Sequence, residues 1–240
     1  MPTLIDRESL RFIADWLRSD KNLPPKYPFP IDAELAARGK PLYAEYCADC
    51  HGASGRDFSG GRVGAVEPIA GIRTDPCRLD NYTHALAAEQ GNLYAAYPDE
   101  RFSHFRKTDG YANLPLDGLW LRAPYLHNGS VPTVRDLLDP AENRPQVFYR
   151  GYDVIDQRRL GFVSDVAEEG GRKFFRYETR CVGGPEKCAD GANPENRHDE
   201  NVCTPGKWAG NSNRGHDGAA YGTELPAADK DAIVEYLKTF

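Results

Sequence analysis

Apolar residues keep helical spacing at both ends of this chain and lose regular spacing through most of its middle. From Asp6 to Leu17, the residues Leu10, Ile13, Trp16 and Leu17 share one face with Phe12 beside it, which predicts an amphipathic helix. Leu23-Pro24-Pro25-Lys26-Tyr27-Pro28-Phe29-Pro30 cannot continue that helix and predicts an extended linker. A second helix is predicted over Asp32 to Tyr46, capped by Asp32, with Leu35, Leu42 and Tyr46 at helical spacing; Gly39 and Pro41 are expected to kink or divide it. The closing helix, Pro226 to Phe240, opens on a proline suited to a first turn and gathers Ile233, Leu237 and Phe240 on one face.

Between these ends the pattern predicts short helices at Asn81 to Gln90 and Pro132 to Leu138, the latter capped near Ser130 or Val131. A few strands are expected between Phe148 and Phe175, where Tyr149, Tyr152, Val154, Ile155, Phe162 and Val163 cluster. Gly52 to Gly64, Leu93 to Leu116 and Gly183 to Gly222 read as loops. The expected fold class is therefore mainly α, with long loops and a small β element. Ser9 to Arg18 resembles Asp231 to Lys238. On that likeness, residues 1–20 read as the last helix of a preceding domain, 21–31 as a Pro-rich linker, and 32–240 as one domain with a Cys-bearing insertion at about 178–222.

Composition narrows the chemistry. The 240 residues carry a formal charge of -6, with no basic stripe of the kind nucleic acid requires. No apolar run is long enough to span a bilayer. With 23 Gly and 18 Pro, much of the chain is expected to be loop, so a bound group must supply part of the core. The first residues show no basic segment followed by an apolar one, so a signal for export is expected to lie outside this sequence.

Cys47-Ala48-Asp49-Cys50-His51 identifies that group. Cys-x-x-Cys-His is the pattern of c-type haem attachment, with Cys47 and Cys50 forming thioethers and His51 the proximal iron ligand. A structural zinc site would want a second tight Cys or His pair, and a thioredoxin-like motif would want a preceding strand; neither surrounds this segment. The other four cysteines, Cys77, Cys181, Cys188 and Cys203, suit one or two disulfides in an oxidising compartment. Three complete pairings of the four stay open; Cys181 with Cys188 or Cys203 is the favoured start, and Cys77 can remain free.

Met1 is the only methionine, which leaves the usual Met/His ligation without an internal candidate. The sixth iron position then falls to a histidine, to an open site, or to a Lys or Tyr. Besides His51 the histidines are His84, His104, His127, His198 and His216. His216 lies in a Gly- and Asn-rich loop just before the final helix. His127 is its rival, with packing at the haem edge or a hydrogen bond to a propionate as its other role; His84, His104 and His198 read as surface residues. Arg73, Arg78 and Arg122 are candidate propionate partners. Pro68 is expected to offer its carbonyl to the proximal histidine. Trp120 and Tyr125 are expected to form haem-side core.

Tyr27 to Asp32, the CADCH site, Gly71-Ile72-Arg73-Thr74-Asp75-Pro76, Leu116 to Thr133 and Gly210 to His216 together carry a family resemblance. The chain resembles the C-terminal cytochrome half of di-haem proteins related to bacterial cytochrome c peroxidases, most closely the rubber oxygenase group. The resemblance implies a cytochrome c-like fold, His51 as proximal and His216 as distal ligand, and a six-coordinate haem that handles electrons while a separate N-terminal haem reacts with oxygen or peroxide. One Cys-x-x-Cys-His is present, so a single haem c is expected, without the catalytic half. The implied function is single-electron transfer outside the cytoplasm, in the periplasm or beyond the cell, with redox proteins or a second haem domain as partners. The alternative is a haem peroxidase or oxygenase acting at this haem.

Overall fold

The computed structural model describes residues 6–19, 23–54, 57, 59, 61–93, 106–179 and 210–240. Among them the helices are α1 (Arg7–Arg18), α2 (Ala33–Tyr46), α3 (Ala48–His51), α4 (Ile69–Ile72), α5 (Cys77–Asn81), α6 (His84–Leu93), α7 (Val134–Leu137) and α8 (Ala227–Leu237). The strands are β1 (Val66–Pro68), β2 (Gly110–Ala112), β3 (Val147–Arg150), β4 (Ile155–Asp156), β5 (Gly161–Phe162), β6 (Glu168–Glu169), β7 (Arg172–Lys173) and β8 (Phe175–Glu178). They form four two-stranded antiparallel sheets, β1-β2, β3-β8, β4-β5 and β6-β7.

The expectation of a mainly α fold is overturned: helix takes about 39% and strand about 13% of the described residues. Two physical reasons account for it. Four of the eight described helices have only four or five residues, so the helical spacing at the chain ends does not represent the middle. The stretch from Val147 to Glu178 closes three of the sheets, with β3 and β8 paired in the register Phe148↔Tyr177, which stacks two aromatic rings at 4.9 Å.

The chain divides into two compact units, Met1–Lys26 with Tyr82–Lys107, and Tyr27–Asn81 with Thr108–Phe240. In the first, Asp6 caps α1 by accepting from the Ser9 N–H at 3.0 Å, and Leu10, Phe12, Ile13, Trp16 and Leu17 are exposed. Thr83 accepts the Leu86 N–H at the start of α6, which begins three residues later than the Asn81 start expected from sequence.

The second unit is organised around α2 and α8, its principal helix pair. Asp32 caps α2 through the Glu34 and Leu35 N–H groups, and Glu235 on α8 accepts the Asp32 N–H at 2.6 Å. The helix runs from Ala33 to Tyr46 as one element with Pro41 inside it, so Gly39 and Pro41 do not divide it. Gly39 serves close approach instead: a Cβ there would lie 1.9 Å from the Ala232 carbonyl oxygen. Packing against α8 compensates for the hydrogen bond that proline removes. Tyr43, Ile233, Val234 and Leu237 from this pair join Tyr27, Leu119, Tyr125, Val131, Val134, Leu138 and Leu160 in one buried core. Thr133, rather than Ser130 or Val131, caps α7, accepting from the Asp136 N–H at 3.0 Å.

Candidate haem site

The CADCH segment folds as the single turn α3 directly beyond α2. Cys47 is the junction: its N–H donates to the Tyr43 carbonyl, and its own carbonyl accepts from Cys50 at 3.2 Å and His51 at 2.9 Å. Spacing of three residues around one turn sends both thiols to one side. Cys47 and Cys50 are free thiols and half-buried. Burial, then the neighbouring Cys50, pushes the Cys47 thiol up to about 12, and burial foremost raises the Cys50 thiol as well. Tyr43 and Tyr236 hold the following backbone, donating to the Gly52 and Ala53 carbonyls at 2.9 and 3.3 Å. Among the described residues no three His, Cys, Asp or Glu side chains gather as a zinc site would need.

His51 Nδ1 lies 2.7 Å from the Leu114 carbonyl oxygen. A carbonyl only accepts, so Nδ1 carries the proton and Nε2 keeps its lone pair. Leu114, just beyond β2, takes the part expected of Pro68, because Pro68 is committed to β1 and pairs with Gly110. Burial holds the His51 pKa below its ordinary value against the opposing Leu114 bond.

Facing His51 is His216, with ring centroids 6.4 Å apart and planes inclined at 41°. The His216 N–H donates to the Ile72 carbonyl at 2.8 Å, and Tyr221 lies against its ring at 4.7 Å. Its backbone is left-handed, φ 50°, which turns the side chain inward from the loop. Burial first, then His51 and the Arg144 guanidinium, lower its pKa to about 3, so the imidazole is neutral at any physiological pH. His51 and His216 are each half-buried, and His216 Nδ1 is buried without a hydrogen-bond partner among the described residues.

The loop bearing His216 is anchored on several sides. Asn128 Nδ2 donates to the Gly210 and Ser212 carbonyls at 2.9 and 2.8 Å, and the Asp75 carboxylate accepts the Ser212 N–H at 3.1 Å. Asp217 accepts from the Ala141 N–H and the Thr223 hydroxyl. Arg144 lies beneath the loop, 2% exposed.

The other predicted residues occupy separate places. His127 stacks on Tyr111 at 4.4 Å, nearly parallel, and its Nε2 is buried without a hydrogen-bond partner among the described residues. The Tyr125 hydroxyl sits between the Leu119 and Leu160 carbonyls, each at 3.2 Å, deep in the core. Trp120 packs against that core, edge-on to Tyr27. Arg122 is spent on the Pro115 and Asp117 carbonyls, and Arg78 on the His127 carbonyl. His84 opens α6 in the other unit. Cys77, which the sequence alone lets remain free, is disulfide-bonded. His104, His198, Cys181, Cys188 and Cys203 lie outside the described residues.

Residues 110–149 match the model of the family described as RoxA-like, cytochrome c-like. The match carries the stretch from Tyr111 through the Leu126-His127-Asn128-Gly129-Ser130 segment and implies haem c as cofactor. Among curated proteins, the uncharacterized protein y4iM of Sinorhizobium fredii is 32% identical over 268 residues, covering 99% of this chain and 55% of its own length. Uncharacterized protein y4iJ of the same organism is 28% identical over 275 residues, covering 90% and 41%. The chain thus spans about half the length of the curated relatives it matches. No described helix is long and apolar enough to cross a membrane.

Proposed function

We propose that this chain carries one covalent haem c on Cys47 and Cys50, ligated by His51 and His216, and passes single electrons outside the cytoplasm as the electron-transfer half of a di-haem oxidoreductase. Bound there, haem supplies an iron that cycles between ferric and ferrous states by one electron. Cys47 and Cys50 would hold the haem as thioethers, and His51 and His216 would ligate its iron. Leu114 fixes His51 with Nε2 free to ligate.

The observation that carries this reading is the spacing of the two imidazoles. An iron bonded at about 2 Å to a nitrogen of each ring, with each nitrogen roughly 1 Å from its ring centroid, sets the centroids about 6 Å apart. The 6.4 Å between His51 and His216 fits that requirement. A site closed by two histidines has a lower reduction potential than a Met/His site and no open position for oxygen or peroxide.

Optical and electron paramagnetic resonance spectra of the ferric protein test the assignment. Wild type is expected to be low-spin and His216→Ala high-spin, with carbon monoxide binding fast to the reduced variant and not to the wild type. A low-spin spectrum unchanged by His216→Ala removes His216 from the iron, and rapid stoichiometric carbon monoxide binding by wild type favours catalysis at this haem instead.

A further inference from the structure

We infer that Arg144 is the positioning residue that presents His216 to the iron. The inference rests on His216 being the distal ligand. A guanidinium has five N–H donors, and all five here end on backbone carbonyls. Nη1 donates to Asn213 at 2.6 Å and Gly215 at 2.9 Å, and Nη2 to His216 at 3.0 Å and Leu137 at 3.1 Å. Nε donates to Asp139 at 3.0 Å. Three of these carbonyls belong to the ligand loop, and two to the chain at and just past the end of α7. One planar fork therefore bolts the loop to the α7 end, and one tooth sits on the carbonyl of His216 itself.

The geometry is specific to arginine. An ammonium has three donors on a single nitrogen and cannot reach five carbonyls spread along two segments. Among the described residues Arg144 takes no carboxylate directly; the charges of Asp217, Asp139, Asp136 and Glu142 offset part of the cost of its burial. Other anchors hold the loop upstream or by its N–H groups: Asn128 at 210 and 212, Asp75 at 212, and Ile72 on the His216 N–H. Arg144 grips the carbonyls of both Gly215 and His216. Its removal leaves the loop tethered while the peptide unit that aims the imidazole loses its support.

The test uses the haem-loaded full chain as wild type, Arg144→Met, Arg144→Lys and His216→Ala, read by ferric spin state and by carbon monoxide binding to the reduced form. Both arginine variants are expected to raise the high-spin ferric fraction roughly tenfold over wild type, corresponding to about 1.4 kcal/mol lost from His216 ligation, and to bind carbon monoxide when reduced. Low-spin, carbon monoxide-closed arginine variants beside a high-spin His216→Ala overturn the positioning role and leave the ligand assignment standing. An unaltered low-spin His216→Ala overturns the ligand assignment and the inference with it. If Arg144→Met fails to fold, Arg144→Lys, which keeps the charge and loses the fork, decides the matter on the same two readouts.

Discussion

Leu114 acts at the site through its backbone alone, since its carbonyl fixes the proton on His51 Nδ1 while its side chain is exposed. Gly215 acts by lacking a side chain. Its φ is 77°, and a Cβ there would lie 2.2 Å from the Thr74 nitrogen and 2.4 Å from the Arg73 carbonyl carbon, both backbone atoms that cannot swing aside. Gly215→Ala is therefore expected to cost about 1–3 kcal/mol in urea unfolding and to raise the high-spin fraction by displacing His216. A variant as stable and as low-spin as wild type counts against the tight seating of this loop. These residues differ in how legible they are. The proposed roles of Cys47, Cys50 and His51 are legible because thioether attachment demands those side chains at that spacing. His216 is legible through the resemblance and the scarcity of methionine. Leu114 is not, because every residue carries a carbonyl, and Arg144 looks like any solvated arginine until the chain closes over it.

At the scale of elements, the α2–α8 crossing positions the proposed attachment turn, because Cys47 is at once the C-cap of α2 and the N-cap of α3. The crossing is close enough at Gly39 that an added methyl group meets the Ala232 carbonyl oxygen at 1.9 Å and the Ile233 nitrogen at 2.9 Å. Gly39→Ala is expected to lower the urea midpoint by an amount corresponding to about 1–3 kcal/mol, overpacking outweighing the better helix propensity of alanine. Gly91→Ala in α6 is the control: nothing lies within 4 Å of its added Cβ, so propensity alone acts and stability does not fall. Equal effects of the two substitutions would show that helix contact is not what Gly39 serves. The end helices are legible because their apolar faces repeat over three or more turns. The four-residue helices α3, α4 and α7 are too short for periodicity to register, and strands of two to four residues leave hardly one alternation to read. Pro41 misleads for a different reason: its local preference against helix is outweighed by contacts with α8 that lie nearly two hundred positions away in sequence.

For the whole molecule, stability in acid is set by carboxylates placed where the second unit closes on itself. Asp139 joins the segment after α7 to α8, accepting from Arg135 at 2.7 Å and from Lys230 at 3.0 Å. Burial alone would raise its pKa, but the two cations together hold it below the ordinary carboxylate range. Asp217 is lowered in the same direction: burial is opposed by the Thr223 hydroxyl, the Ala141 N–H and the nearby Arg144. A carboxylate whose pKa is lower in the folded than in the unfolded chain stabilises the fold above the unfolded value, about 4, and that contribution is lost as pH falls through the folded value. The urea midpoint is therefore expected to hold from pH 7 to about 5 with respect to these groups and then to fall toward pH 2. Histidines add their own slope, because neutral buried His51 and His216 resist a proton that the unfolded chain accepts below about 6.5. Asp139→Asn separates the two contributions: it leaves both imidazoles in place and removes one carboxylate. Its midpoint should lie below wild type at pH 7, where Arg135 and Lys230 lose a partner, and the two curves should converge below pH 4. Parallel curves down to pH 2 would mean that the pairing of Asp139 with its two cations contributes nothing that depends on its charge.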